Sequence, residues 1–172
     1  MARNVEIKAR IKSVESVFPL AADLADRGPE EIDQDDTFFK CRNGRLKLRT
    51  FSPGSGELIL YRRADQSGPK ESSYFIFPTA DPGSLRELLS RAYGQAGRVR
   101  KKRTLFLSGR TRIHLDRVES LGDFLELEVV LEEKEPVATG EAVARDLMKK
   151  LGVSDDQLLE GAYVDLLELN EH

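Results

Sequence analysis

Charged and apolar side chains alternate along most of the β-strands that this sequence predicts, and no other feature restricts the fold as much. The segment "NVEIKARI", residues 4–11, carries its polar side chains at every second position: Asn4, Glu6, Lys8 and Arg10. Because strand side chains point alternately to the two faces of a sheet, this segment has one wholly polar face and one apolar face. Such a polar face is expected either to meet water or to bind something charged.

Later strands repeat the pattern, and the sign of the charge is sorted by strand. One predicted strand carries Arg45, Lys47 and Arg49 on a single face, and another carries Lys101 and Arg103 on a single face. The last predicted strand carries Glu126 and Glu128, and the strand before it carries Arg112, His114 and Asp116. Two arrangements fit. The polar faces are either the solvated side of a sheet, with charges paired across strands, or the lining of a tunnel formed when the sheet curls.

The predicted strands are interrupted by three helices. These helices are expected from Ser13 to near Gly28, from Asp81 to near Gly94, and from about Thr139 to Leu151. The dipeptide Asn43-Gly44 predicts a tight hairpin between two strands, and the tail after residue 155 is compatible with a helix or a strand. The sequence shows no internal repeat or long linker, so a single domain is expected over residues 1–172.

The composition excludes several classes of function. With 27 basic and 30 acidic residues the formal charge is -3, whereas nucleic-acid binders usually have a basic excess, so duplex nucleic acid is not an expected partner. Cys41 is the only cysteine, which excludes a disulfide framework and a cysteine metal cluster and is typical of a reduced, cytoplasmic protein. The sequence has no apolar stretch near the ~20 residues of a membrane span, so membrane insertion is not expected.

A tunnel crowded with Lys and Arg side chains would be unfavourable if empty, because the dielectric falls as water is excluded. A triphosphate would relieve the repulsion, since Arg binds phosphate oxygens in a bidentate manner and Lys neutralises them as a point charge. Carboxylates in the same tunnel would repel phosphate unless a divalent cation bridged them. Clustered glutamates suit Mg²⁺ or Mn²⁺, and Glu6, Glu126 and Glu128 are the predicted ligands.

Several segments, taken in order, resemble the CYTH family, the triphosphate tunnel enzymes that include class IV adenylate cyclases and thiamine triphosphatases. They are the opening strand, "GRLKLR", "LILYRR", "RKKR", "HLDRVESLGDFLELE" and "GAYVDLL", and together they span nearly the whole chain. The resemblance implies an α+β fold built on an antiparallel, eight-stranded β tunnel with a charged interior and helices outside. It also implies dependence on a divalent metal and a triphosphate-containing small molecule as substrate.

The resemblance further implies roles for individual residues. Glu6 and Lys8 match the second Glu and the Lys of a Glu-x-Glu-x-Lys signature, and Asn4 stands at the first Glu position. An amide oxygen adds no negative charge, so Asn4 is a secondary candidate for metal binding. Asp116 matches the family's acidic residue in the strand before the Glu-x-Glu strand, and it is a secondary candidate either for metal binding or for orienting neighbouring polar groups. The implied catalytic residues are Glu6, Lys8, Glu126 and Glu128. The residues expected to bind the triphosphate are Lys8, Lys47, Arg49, Arg62, Lys70, Lys101, Arg103 and Arg112.

Three functions remain open at this point. A class IV adenylate cyclase, which converts ATP to cyclic AMP and pyrophosphate, is preferred because the opening strand resembles those proteins most. The same tunnel could instead hydrolyse thiamine triphosphate, a nucleoside triphosphate or inorganic triphosphate, or it could bind such a molecule without turnover, with Asn4 marking the lost catalysis. His114 has no second histidine or cysteine nearby, so a catalytic role for it is not expected, and one helix face is left for a homodimer.

Overall fold

The computed structural model describes residues 2–64 and 66–170, and its centre is a closed barrel of antiparallel strands. The strands are β1 (Ala2–Arg10), β2 (Arg27–Phe39), β3 (Arg45–Ser52), β4 (Ser55–Arg63), β5 (Lys70–Thr79), β6 (Gln95–Ser108), β7 (Thr111–Val118) and β8 (Gly122–Val130). Around the barrel they follow the order β1-β5-β4-β3-β2-β6-β7-β8. The predicted α+β class and eight-stranded barrel are therefore confirmed.

Strand β1 closes the barrel, because it pairs with β5 on one side and with β8 on the other. The register sets Glu6 directly opposite Glu128, and Lys8 directly opposite Glu126. Directly opposed residues on one face of an antiparallel pair have their Cβ atoms about 5 Å apart. The first and last strands of the barrel therefore bring together the two acidic segments that lie far apart in the sequence.

The described residues form four α-helices and a short 3₁₀-helix: α1 (Val14–Leu24), α2 (Pro82–Tyr93), α3 (Val137–Lys150), the 3₁₀-helix (Asp155–Gln157) and α4 (Tyr163–Asn170). Ser13 and Asp81 cap α1 and α2 as predicted, since each side chain accepts a hydrogen bond from a backbone amide three residues later. Helix α1 ends at Leu24 and not near Gly28, because the chain enters β2 at Arg27. No helix among the described residues has the length and apolar character needed to cross a membrane.

The helices pack against the outer face of the barrel. Helix α1 contacts β6 and β7, α2 contacts β2, β3 and β4, and α3 contacts β1 and β8. The largest apolar cluster joins Val5 and Ile7 of β1 and Leu127 of β8 to Ala144 and Leu147 of α3. The apolar residues of the alternating pattern therefore face outward beneath the helices, which leaves the polar residues pointing into the barrel.

One apolar sector of the outer face is not covered by a helix. Leu60 of β4, Phe75 and Phe77 of β5 are exposed to 37%, 64% and 63%, and the register pairs Leu60 with Phe75. Apolar patches of this kind on a folded chain often mark a contact surface. The homodimer expected from the sequence stays a prediction. This uncovered sector of β4 and β5 is a candidate surface for its interface.

Candidate functional site

The polar strand faces enclose a cavity of about 360 Å³ inside the barrel. All eight strands contribute side chains to its wall. The predicted residues among its lining are Asn4, Glu6, Lys8, Lys47, Arg49, Lys101, Arg103, Arg112, Glu126 and Glu128. Their sequence neighbours Val5 and Leu127 are fully buried in the core outside the wall. The sequence left open whether the polar strand faces meet water or line a tunnel, and in the structure they line a tunnel.

One wall of the cavity, formed by β1, β7 and β8, is acidic. Ligand atoms of His114, Glu126 and Glu128 lie within 4.8 Å of one another, and Glu6 stands opposite Glu128 in the register. Burial and the neighbouring charges of Glu128 and Glu126 raise the pKa of Glu6. Carboxylates in this arrangement repel one another, and a bound divalent cation would remove that repulsion.

His114 gives a second indication that a cation fits this wall. Its Nδ1 is buried without a hydrogen-bond partner among the described residues and lies 3.8 Å from a carboxylate oxygen of Glu128. Burial, with a smaller effect of the Arg103 guanidinium, lowers the pKa of the imidazole to about 4, so the ring is neutral at pH 7. The carboxylates suit either Mg²⁺ or Mn²⁺, whereas a neutral imidazole beside them favours Mn²⁺, because Mg²⁺ prefers oxygen ligands. His114 was not among the predicted ligands, because the sequence shows no cysteine or second histidine near it, whereas the carboxylates beside it come from another strand.

The opposite wall is cationic, and it is organised around a carboxylate that the sequence analysis did not identify. Asp36 of β2 is 1% exposed and accepts two 2.8 Å hydrogen bonds from Arg49. The ammonium groups of Lys101 and Lys47 lie 3.2 Å and 3.6 Å from the same carboxylate. Burial by itself would raise the pKa of Asp36, but the surrounding cations hold it well below its usual range. Asp36 therefore orients three predicted triphosphate ligands.

Asp116, predicted either to bind metal or to orient its neighbours, is held by three hydrogen bonds. Its two carboxylate oxygens accept 2.8 Å hydrogen bonds from Arg103, and the hydroxyl of Tyr163 donates a third at 2.8 Å. The side chain is completely buried behind the residues that line the cavity. These contacts fit the orienting role of the two that were predicted: Asp116 positions Arg103, whose Nη2 also lies 3.5 Å from Glu126.

Two predicted triphosphate ligands do not line the cavity. Arg62 is exposed on the outer face of β4, and its Nε donates to a backbone oxygen of the β2–β3 turn at 3.0 Å. Lys70 is on the inner side of β5, but its ammonium donates to the backbone oxygen of Gln66 at 2.8 Å and lies outside the cavity lining. The structure therefore does not bring either side chain to the cavity wall, Arg62 because it faces outward and Lys70 because its ammonium is bound at the end of its strand.

Arg63 occupies the inward position expected for Arg62. Its side chain is 5% exposed and its Nη1 lies 3.4 Å from Glu6. The Nε and Nη2 atoms of Arg63 are buried and have no hydrogen-bond partner among the described residues. A buried guanidinium with unused donors is unfavourable unless an anion arrives to accept their hydrogen bonds. Arg63 is therefore a strong candidate for phosphate binding that the sequence analysis missed.

Asn4, Arg112 and Lys8 line the cavity as predicted, but each already contacts a neighbour. In the amide orientation that satisfies both ends, the oxygen of Asn4 accepts from Arg112 at 3.3 Å. Arg112 also binds Glu128, with its Nη2 at 2.8 Å. The ammonium of Lys8 lies 4.0 Å from the ring centre of Tyr163, and burial lowers its pKa to about 8. An anion bound beside Lys8 would therefore raise the pKa of its ammonium group and keep that group fully charged.

Helix α4 covers one end of the cavity. Ala162 and Tyr163 line the cavity at that end, and the Tyr163 ring packs against Phe124 with 5.0 Å between ring centres. Phe38 and Val99, from the two strands of the opposite wall, belong to the same apolar cluster. These apolar contacts and α4 therefore cover this end of the cavity.

Comparison with known proteins places this geometry in context. A model of the CYTH domain matches residues 2–163. Adenylate cyclase CyaB of Aeromonas hydrophila is 25% identical over 177 residues, which cover 96% of this chain and 88% of that protein. A solved structure from Pyrococcus horikoshii has a TM-score of 0.84 at 24% identity, over 95% of this chain and 98% of the other. A Hippeastrum protein classed as an adenylyl cyclase, with a dominant triphosphatase activity, has a TM-score of 0.67 at 13% identity, over 99% and 96% of the two chains.

Proposed function

The chain belongs to the CYTH domain family, and on that premise we propose that it is a divalent-metal-dependent enzyme acting on a triphosphate inside the barrel. The observation that carries the proposal is a single buried cavity containing both the His114, Glu126 and Glu128 cluster and the unused donors of Arg63. A metal-bound polyphosphate needs both kinds of group at once. The reaction we propose is that of a class IV adenylate cyclase, from ATP to cyclic AMP and pyrophosphate.

The charge state of the cavity supports an anionic ligand. Burial lowers the pKa of Lys47 to about 7 and the pKa of Lys8 to about 8. These ammonium groups therefore lose part of their charge near neutral pH while the cavity holds no further anion. An entering triphosphate would stabilise both cations and would accept the free hydrogen bonds of Arg63, so binding and protonation favour each other.

Glu6, His114, Glu126 and Glu128 are the residues that we propose to hold Mg²⁺ or Mn²⁺. When bound, the cation would neutralise phosphate oxygens and polarise the phosphorus centre at which the reaction occurs. Arg112 would keep Glu128 oriented through its 2.8 Å contact. The neutral oxygen of Asn4 adds no charge to this set, so the resting site has one carboxylate fewer than the Glu-x-Glu-x-Lys signature would supply.

The cationic residues would divide the work of stabilising charge. In the cyclase reaction the 3'-hydroxyl oxygen of ATP forms a bond to the α-phosphorus, and the bond from that phosphorus to the bridging oxygen of pyrophosphate breaks. The hydroxyl proton leaves to water or to the departing pyrophosphate. Negative charge therefore accumulates on the leaving pyrophosphate. Arg49, Lys47 and Lys101, held by Asp36, are placed to bind that group, and Arg103, fixed by Asp116, would stabilise the transferring phosphoryl group.

The alternative reaction is hydrolysis. Water placed at the terminal phosphorus would release orthophosphate and leave the matching diphosphate, with the same cations stabilising the same kind of charge. The dominant triphosphatase activity of the Hippeastrum protein, which shares the fold, favours keeping this candidate. Binding without turnover is a third candidate, which the missing carboxylate at Asn4 favours.

A product assay tests the proposal. The chain would be incubated with Mg²⁺ or Mn²⁺ and with ATP, thiamine triphosphate or inorganic triphosphate, and ³¹P NMR would resolve the products. Cyclic AMP with pyrophosphate supports the cyclase, orthophosphate supports the hydrolase, and saturable binding without product supports the binding module. Glu128→Gln should abolish turnover while the fold is retained, whereas Glu133→Gln, on an exposed loop, should leave it unchanged. Full activity in Glu128→Gln would contradict the metal-site assignment.

Two of the sequence-based expectations stay predictions. A cytoplasmic location rests on the single cysteine, Cys41, which is exposed and suits a reducing compartment. The absence of duplex nucleic acid among the partners rests on the acidic net charge and on an interior too narrow for a helix. A gel-shift experiment with duplex DNA and duplex RNA at low salt would test the second expectation, since nonspecific binding is strongest there.

A further inference from the structure

Two tyrosine rings lie against the cations of the cavity. Tyr61 of β4 and Tyr163 of α4 line the cavity and are 9% and 5% exposed. The centre of the Tyr61 ring lies 5.0 Å from the ammonium nitrogen of Lys47 and 6.0 Å from the guanidinium carbon of Arg63. A cation within about 6 Å of an aromatic ring centre is attracted by the negative potential of the ring face. Tyr61 therefore contacts two of the cations that the proposed function assigns to phosphate.

Tyr163 repeats this arrangement with two other cations. The ammonium nitrogens of Lys8 and Lys101 lie 4.0 Å and 5.4 Å from the centre of its ring. Lys8 belongs to β1 and Lys101 to β6, so the ring draws together cations from two different parts of the barrel wall. The ring is itself fixed, because its hydroxyl donates to Asp116.

These cations have few carboxylates to share. Among the described residues Lys8 forms no ion pair, and its ammonium donates a long 3.5 Å hydrogen bond to the backbone oxygen of Gly161. Lys47 and Lys101 share the single carboxylate of Asp36. Cations crowded into an enclosed cavity repel one another strongly, because the effective dielectric is low. The two ring faces supply attraction where carboxylates do not.

A ring and a carboxylate stabilise a cation in different ways. Asp36 and Glu6 neutralise the cations that they contact, and as anions they would repel an incoming phosphate. An aromatic ring has no net charge and attracts the cation only through the negative potential of its face. A cation held by a ring therefore keeps its charge for the ligand. Because its side chain is already held in place, it also loses less conformational entropy when the ligand binds.

We propose that Tyr61 and Tyr163 are positioning residues whose ring faces hold four cations ready for phosphate: Lys47 and Arg63 on Tyr61, and Lys8 and Lys101 on Tyr163. This inference rests on the proposed function, because it assumes that these cations bind the phosphates. Both tyrosines act through the cations. The hydroxyl of Tyr61 makes no hydrogen bond with the described residues, so at that position the ring alone carries the role.

Calorimetry with a triphosphate that cannot be hydrolysed tests the Tyr61 ring. The probe is tripolyphosphate in which methylene groups replace both bridging oxygens, titrated in Mg²⁺ or Mn²⁺. Tyr61→Leu should weaken its binding about tenfold, because a buried cation–ring contact is lost, whereas Tyr61→Phe keeps the ring and should change the affinity less than about twofold. Tyr93→Leu makes the same change at a residue of α2 that is 56% exposed, and it should leave the affinity unchanged.

A series of fluorinated rings separates electrostatic attraction from packing. Tyr61→Phe would be prepared with zero, one, two or three fluorine atoms on the ring. Each fluorine withdraws electron density from the ring face and weakens its attraction for a cation, while the size of the ring changes little. We expect the Kd of the probe to rise stepwise along the series toward the value for Tyr61→Leu. A Kd independent of fluorination would overturn the proposal for Tyr61. The series keeps the test valid if Tyr61→Leu does not fold.

Tyr163 is tested by a matched pair of variants. Tyr163→Phe removes the hydrogen bond to Asp116 but keeps the ring, whereas Tyr163→Leu removes both. We expect Tyr163→Leu to bind the probe about fivefold more weakly than Tyr163→Phe, and equal affinities would overturn the role of this ring. The fluorinated series at the same position replaces the comparison if Tyr163→Leu does not fold. Failure of the unaltered chain to bind the probe would instead overturn the proposed function.

Discussion

Replacing Asp36 with Asn should destabilise the fold strongly, because it leaves buried cations without their counter-ion. The carboxylate accepts two 2.8 Å hydrogen bonds from Arg49 and lies 3.2 Å from the ammonium of Lys101. Removing one partner of a buried ion pair typically costs about 3–5 kcal/mol. For a chain of this size each kcal/mol lowers Tm by ~2–4 °C, so a decrease of roughly 6–20 °C is expected in a thermal unfolding experiment.

The adjacent residue provides the control. Asp35 is 26% exposed and binds Arg98 at 2.6 Å on the outer face of the barrel, where an ion pair contributes about 0.2–1 kcal/mol. Asp35→Asn should therefore lower Tm by no more than ~4 °C. Equal losses of stability in the two variants would refute this reasoning, because both substitutions remove one negative charge and they differ in how deeply the carboxylate is buried.

A polyphosphate should partly reverse the Asp36→Asn defect. Tripolyphosphate can place an oxyanion among Arg49, Lys101 and Lys47, so it supplies the charge that the substitution removed. Ligand binding stabilises the native state in proportion to the logarithm of ligand concentration over Kd. The Tm increase at a fixed tripolyphosphate concentration should therefore be larger for Asp36→Asn than for the unaltered chain, and an equal or smaller increase would show that these cations do not bind the anion.

Three further predictions concern the proton balance, the register of β4 and the assembly. The pKa of Lys47 is about 7, so its amine is mostly neutral at pH 8.5. A bound phosphate favours the ammonium form, so binding should cause Lys47 to take up about one proton. Calorimetry in buffers of different ionisation enthalpy would measure the uptake, and an uptake unchanged in Lys47→Met would count against the assignment. Arg63→Ala should weaken tripolyphosphate binding about tenfold or more, whereas Arg62→Ala should change it less than about twofold, and the reverse order would disprove the register. If the uncovered outer sector forms a homodimer, Phe77→Asp should shift the chain to monomer in sedimentation velocity, and a monomer before substitution would remove the dimer prediction.

Most of what could be predicted about the fold came from the alternation of polar and apolar residues at every second position of the strands. It separated Val5 and Ile7 from Glu6 and Lys8 without any knowledge of the fold, and the structure places the two pairs on opposite sides of the barrel wall. It could not show which side was the inside, because a polar strand face is compatible with water or with a tunnel. Only the resemblance to a family of tunnel enzymes favoured one arrangement over the other.

The site was less predictable, for reasons that are local. In "LILYRR" the apolar residues continue on both faces of the strand, so the pattern did not decide between Arg62 and Arg63. Asp36 lies among several acidic residues in "EEIDQDD", where only the register with Arg49 reveals its function. The role of Asp116 depends on Arg103, which lies opposite it only in one register of the β6–β7 hairpin, and on Tyr163, which is distant in the sequence and comes close only after α4 has packed.

The position of β1 between β5 and β8 has a consequence for synthesis of the chain. Strand β1 leaves the ribosome before either of its partner strands, so it cannot complete its hydrogen bonds until Val130 has emerged. Until then Val5 and Ile7 remain without their cover in the nascent chain, which makes them natural targets for a chaperone. Closure joins residues more than a hundred positions apart, as in Glu6 and Glu128, and such distant pairing slows folding. The acidic wall is therefore complete only once β8 has been made, and we expect an amino-terminal fragment that stops before β8 to lack the proposed metal site.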